Sequence, residues 1–213
     1  MKFANSCSSQ RGATLVEMMI ASFLGLIAIA IIGSAFLSTQ RVVTNNSLEL
    51  LIQHNLFSMS QIMKDEMLRA GYSGDIGRSV KLSGATHTIH IDNSGSDAAM
   101  AFVYLNSQSG QPIEYLNILY GKSGDEIDYC EVKSSDVMLL SAMLTRTPPS
   151  GVAMSCESVF FKKQISVSDF SLTSKEVKAS GVNTQVIDFN IDATLVNTGI
   201  NYSVNSSVKQ RNL

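Results

Sequence analysis

The chain has 213 residues, of which 45% are hydrophobic and 16% charged, and its formal net charge is −2. That length supports one or two domains with a real core, and the composition excludes a disordered chain. So small a net charge gives no electrostatic reason to expect a nucleic-acid binder, and three cysteines exclude a disulfide-dense scaffold while leaving room for one bridge.

Residues 1–12 are short, polar and basic, with Lys2 and Arg11. From Met18 to Leu37 the chain reads MMIASFLGLIAIAIIGSAFL, and no charge falls between Glu17 and Arg41. A helix of that length rises about 30 Å, enough to cross a hydrocarbon core. The ordinary alternative is a secretory signal peptide. Its apolar region runs about 7–15 residues, shorter than this one, and has no acidic residue in front like Glu17. A carboxylate at the membrane edge is costly, so Glu17 is a functional candidate.

Arg11-Gly12-Ala13-Thr14-Leu15-Val16-Glu17 followed by the apolar run resembles the class III leader of type IV pilins and pseudopilins. The resemblance implies cleavage after Gly12 by a prepilin peptidase and N-methylation of Ala13. Ala13 stands where Phe or Met is commoner. The resemblance further implies that Glu17 registers subunits by pairing with the N-terminal amine of a neighbour. A buried carboxylate beside a buried cation is far less costly than either alone. The plain alternative is a Glu17 that snorkels at the interface. Lys2 and Arg11 agree with a leader held in the cytoplasm.

The helical pattern continues past the membrane. Leu48, Ile52, Leu56, Met59, Met63, Met67 and Ala70 recur at steps of three or four, one apolar stripe of an amphipathic helix. Gly71 is a natural stop. A single helix from Ala13 to about Ala70 would measure about 87 Å. The organisation expected is therefore a leader at 1–12, a transmembrane or filament-core helix at 13–40, an amphipathic continuation at 41–71, and a β-rich periplasmic or extracellular domain at 72–213.

After Gly71, β-branched and aromatic runs alternate with Gly, Ser, Asn and Asp. Strands are expected near Thr86–Asp92, Met100–Leu105, Ile113–Tyr120, Glu126–Val132, Val137–Leu144, Ser158–Ile165, Val186–Leu195 and Ile200–Val208. Turns are expected at Asn93-Ser94-Gly95, Gly121-Lys122-Ser123-Gly124-Asp125 and Pro148-Pro149-Ser150-Gly151. The fold class is α+β, a long N-terminal helix packed on a β-rich domain, which is also the pilin architecture that the resemblance implies.

Cleavage would remove Cys7 and leave Cys130 and Cys156 in the exported domain. An oxidising compartment favours a bridge, and closure of that loop contributes about 3 kcal/mol in the chain-entropy model. A metal pair is the alternative, with no neighbouring His or Cys to complete it.

The sequence holds no legible enzyme. Gly121-Lys122-Ser123 resembles the end of a phosphate loop, but Leu116 occupies the required glycine position. His87 and His90 sit three apart on an expected strand and would face opposite ways, and His54 lies on the helix. No metalloprotease, serine-hydrolase or EF-hand motif is present, so no catalytic residue, metal or cofactor is expected. Tyrosines and Lys162-Lys163 could touch DNA, as some minor pilins do. The 14 basic residues left after Lys2 and Arg11 are removed, against 18 acidic ones, give −4 and disfavour it.

Two local features narrow the resemblance. Arg69-Ala70-Gly71-Tyr72-Ser73-Gly74 looks like a segment of the PilW-type minor pilins, and Tyr202 to Val208 with the Arg211-Asn212-Leu213 ending looks like their closing strand. The J-type minor pseudopilin of type II secretion shares the long helix, the large β domain and a similar ending. The resemblance implies as partners other minor pilins, the major pilin, the prepilin peptidase, the inner membrane and its assembly platform. A membrane-anchored adhesin or ligand-binding protein is the alternative of another class.

Overall fold

The computed structural model describes residues 14–74, 78–94, 97–107, 112–179 and 182–211. The expected leader, with Lys2, Cys7, Arg11, Gly12 and Ala13, lies outside them, as do Gly95 of one expected turn and the Asn212-Leu213 ending. The chain divides into two compact units, Met1–Ser47 and Leu48–Leu213.

Helix α1 runs Leu15–Arg69. In the first unit every described residue is exposed, including Phe23, Ile29 and Phe36 at 60% or more. A helix apolar on all faces needs an apolar surrounding, either lipid or other helices. Two of its hydroxyls are satisfied within the helix: Ser22 and Ser34 donate to the carbonyls of Met19 and Ile31 at 2.9 and 2.8 Å. Such back-bonding to the preceding turn lowers the cost of carrying a hydroxyl into apolar surroundings.

In the second unit one face of α1 is buried at Ile52, Leu56, Ser60, Met63 and Met67. Leu48 and Met59 are partly buried against the same core. The helix stops where expected, with Gly71 at φ 80°, a left-handed conformation that suits a residue without a Cβ. The chain then joins the sheet directly, because Gly71 N–H donates to the Val103 carbonyl at 2.8 Å.

Two antiparallel sheets follow. The first holds β1 (Ile89–Asp92), β2 (Ala99–Leu105), β3 (Tyr115–Ser123), β4 (Glu126–Ser134) and β5 (Ser155–Ser158), in that spatial order. The second holds β6 (Ile165–Ala179), β7 (Val182–Leu195) and β8 (Asn201–Lys209), also in order. The α+β arrangement, a long N-terminal helix followed by a β-rich domain, is as expected.

Both faces of the first sheet are covered. Met100, Phe102, Tyr104, Ile118 and Tyr120 join the α1 stripe and the inner face of the second sheet in one core. Ala101, Val103, Leu119, Cys130 and Val132 form a second cluster with Leu82, Met138 and Met143. Two-sided burial explains why β2 reads as an unbroken apolar run, AMAFVYL, instead of alternating. Each such side chain contributes about 1.5–3 kcal/mol on burial.

Two strand expectations are corrected, and one strand is found where none is expected. Val137–Leu144 is no strand: Leu140–Leu144 forms a short helix, α2, covering the rear of the first sheet through Met143. Its Leu, Met and Ala residues are helix formers, and the run lacks β-branched residues after Val137. Ser158–Ile165 is also no strand. β5 ends at Ser158, Phe160 plugs the core, and Gln164 and Ile165 N–H groups both turn back to the Phe161 carbonyl. β6 was not expected at all. Its buried residues Ile165, Val167, Phe170 and Leu172 alternate, but the register shift between Val167 and Asp169 breaks the phase.

Asn117 fixes the α2 cover. It is fully buried on β3, its Oδ1 accepts from Met138 N–H at 2.9 Å, and its Nδ2 donates to the Val132 carbonyl at 3.2 Å. Asn117→Ala leaves that N–H buried without a partner, so a loss of about 2 kcal/mol is expected in urea unfolding. Asn117→Asp keeps the acceptor and should lose less at low pH, where its carboxyl is neutral.

Candidate functional site

The N-terminus of α1 is closed by its own side chains. Thr14 Oγ1 accepts from Glu17 N–H at 3.3 Å, and Glu17 Oε2 accepts from Thr14 N–H at 3.0 Å and from the Thr14 hydroxyl at 3.3 Å. This reciprocal pair is a capping box, which satisfies donors that an α-helix leaves open at its start. The Thr-x-x-Glu spacing is visible in the sequence, where it lies inside the leader pattern. Glu17 is therefore held back over its own first turn. Gly12 and Ala13 lie outside the described residues.

Behind the cap, α1 has the length and hydropathy of a membrane span. The prokaryotic N-terminal methylation motif matches residues 7–33. The chain carries a prepilin-type leader. That motif supports a type IV pilin-like protein, and the apolar helix behind it fits a membrane-anchored and then pilus-associated one. It points to a structural subunit and to partnership with pilus components and a prepilin peptidase in general. No curated protein and no solved structure shows a significant match.

In the second unit, Cys130 and Cys156 stand opposite each other on β4 and β5 and form a disulfide. Within the loop that it closes, Arg146 reaches back to Asp128 on β4 at 2.6 Å. Pro148 and Pro149 lead into a turn with Gly151 at φ 86°. Gly124 at φ 59° and Asp125 make the two-residue turn between β3 and β4, so Gly121-Lys122-Ser123 belongs to β3. His87 precedes β1, with Nδ1 3.4 Å from Glu176 Oε1, while His90 lies on β1. Among the described residues no three His, Cys, Asp or Glu side chains gather as metal ligands.

A second feature could not be read from the sequence, because its parts lie far apart along the chain. A groove of about 280 Å³ runs between α1 and the β3–β5 edge, lined by Met59, Ile62, Glu66, Tyr120, Tyr129 and Glu157. Glu66 accepts from the Tyr104 hydroxyl at 2.9 Å and faces Arg69 at 3.6 Å. The Tyr129 hydroxyl donates to Glu131 at 2.8 Å, and the Tyr120 and Tyr129 rings lie 5.1 Å apart.

Burial, then the Glu66 charge, holds the Tyr104 and Tyr120 hydroxyls well above their ordinary value of 10.0. Tyr129 is raised first by burial and then by its bond to Glu131. All three are neutral donors at neutral pH. Because the folded values are raised, the stability they contribute is whole below about pH 10 and falls as pH climbs beyond it. Alkaline titration should show these three of the six tyrosines forming phenolate late, together with unfolding. Smooth titration of all six with the fold intact would contradict it.

Proposed function

We propose that this chain is a minor pilin of a type IV pilus. It is a structural subunit that primes assembly within a complex of minor pilins and sits at the pilus tip. The observation that supports this most is the Gly12-Ala13-Thr14-Leu15-Val16-Glu17 leader pattern running into an exposed apolar helix, with the methylation motif at residues 7–33. In this reading residues 1–12 are removed and Ala13 is methylated. Residues 13–40 anchor the subunit in the inner membrane and later pack in the filament core. Residues 41–71 carry the helix into a domain at 72–213 that faces the periplasm and then the surface.

Glu17 is the registration residue. Its carboxylate caps its own helix before assembly. On assembly it would meet the cationic amine of a neighbouring subunit, an interaction favoured in apolar surroundings where both charges would otherwise stand alone. The PilW-type segment Arg69 to Gly74 favours a minor pilin over the J-type pseudopilin, whose ending is similar.

The test is a paired assay on a strain lacking the gene, counting surface pili by electron microscopy and measuring type II substrates in the medium. Lost pili with normal secretion is the expected result. Normal pili with lost secretion would move the chain to the pseudopilus. If neither changes, assembly priming is wrong and an anchored adhesin or ligand-binding protein takes its place. Restoration by the wild-type gene, but not by a Gly12 variant, is the control.

A further inference from the structure

The groove between α1 and the edge of the first sheet lies wholly within the second unit. At about 280 Å³ it falls just under the range of small-molecule pockets, about 300–1,000 Å³. It suits one long side chain and its flanks better than a whole metabolite.

Its walls are of two kinds. Met59 and Ile62 on α1 supply an apolar side, and Ile62 is 52% exposed although it adjoins the core. The half-buried Tyr129 ring supplies aromatic surface, with the buried Tyr120 ring 5.1 Å behind it. Glu66 and Glu157 bring carboxylates to the same groove. Glu66 is already engaged by Tyr104 and Arg69. Glu157 differs from its neighbours: Asp128, Glu126 and Glu131 each face a lysine or arginine within 4 Å, whereas Glu157 has no ion-pair or hydrogen-bond partner among the described residues. An unpaired carboxylate beside the Tyr129 ring, its cross-strand neighbour, and an uncovered isoleucine is a combination that complements a cation on an apolar stem. Arginine and lysine have that form, and a guanidinium or ammonium is attracted both to ring faces and to carboxylates.

We propose that this groove seats an arginine or lysine side chain, flanked by apolar residues, on a segment of a neighbouring subunit. The inference rests on the subunit reading for its partner and names the chemistry that the partner must present. The cation fills the space between Glu157 and the Tyr129 ring, in front of the buried Tyr120, and the flanking apolar residues cover Ile62.

The experiment uses the full chain in detergent micelles, labelled with 3-fluorotyrosine, with the Tyr120 and Tyr129 signals assigned through Phe variants. The probe is the blocked tripeptide acetyl-Leu-Arg-Leu-amide. A saturable shift of those two signals is expected, weakened about tenfold in Glu157→Gln, which removes the unpaired charge without touching the core. Glu176→Gln, remote from the groove, should bind as the wild type does. Equal affinity for acetyl-Leu-Gln-Leu-amide would overturn the cation site. Equally tight binding of tetramethylammonium would replace the partner segment with a free organic cation. No shift with any probe overturns the proposal outright. Such a failure leaves the pilin reading standing, because pilus counts and leader processing do not depend on this titration. Loss of the pilin reading with intact peptide binding would leave a cation-binding groove without its assigned partner.

Discussion

Glu17→Gln is expected to leave leader cleavage normal yet lower recovery of the subunit in sheared filaments by about tenfold or more, the equivalent of about 1.4 kcal/mol. The choice of glutamine matters. The capping box needs only an acceptor at this position, and glutamine supplies one to Thr14 N–H as glutamate does. Glu17→Gln therefore keeps the cap and removes the charge, whereas Glu17→Ala removes both. If registration by charge is the role, both variants fail to incorporate. If glutamine restores incorporation and alanine does not, the cap is the function and the pairing with a neighbour's amine is wrong. Mass spectrometry of the processed N-terminus, with immunoblots of sheared filaments, separates processing from incorporation.

Loss of the disulfide has the largest expected effect on stability. β5 is exposed at all four positions, so no buried side chain holds it. It depends on its ladder with β4 and on the Cys130–Cys156 bond. The bond closes a separation of 26 residues that contains α2. Cys130→Ser with Cys156→Ser should cost about 3 kcal/mol. For a domain of this size that is a fall of about 6–12 °C in melting temperature. The change should be matched by reducing agent on the wild type and absent from the double variant. A melting temperature that ignores both the reductant and the substitutions would show that the bond constrains nothing.

The sequence made some of this legible and hid the rest for definite reasons. The buried stripe at Ile52, Leu56, Met63 and Met67 follows a helical period that no other element imitates, and Gly71 ends it. β2 and β3 were recognisable as apolar runs of strand length. Two-sided burial explains their lack of alternation, but that burial depends on α2, whose short Leu-Met-Ala run in sequence looks like a strand. β6 escaped because its inward residues are spaced by two, then three, then two, so neither period fits. At the N-terminus Glu17 stood out as a charge before an apolar run, while its bonds to Thr14 needed coordinates. The groove was invisible for a topological reason. Glu66, Tyr104 and Tyr120 come together only when β2 and β3 cross α1, and the first contact spans 38 residues.

The order of strands also sets the order in which the molecule can be built. Both sheets follow the sequence strand by strand, so nearly every pairing is a hairpin between neighbours. A chain synthesised from its N-terminus can add each strand as it appears, with little loop-closure entropy to overcome. Longer-range seams come late: Gln185 Nε2 on β7 donates to the Ile89 carbonyl across 96 residues, and Gln210 Nε2, just after β8, donates to the Ala70 carbonyl across 140. β8 is thus the last strand to arrive, and its Val208 completes the core that α1 began. A nascent chain stalled before Asn201 would hold the first sheet complete and the second one open along β7, with Ile187 and Ile191 beside an unfilled edge.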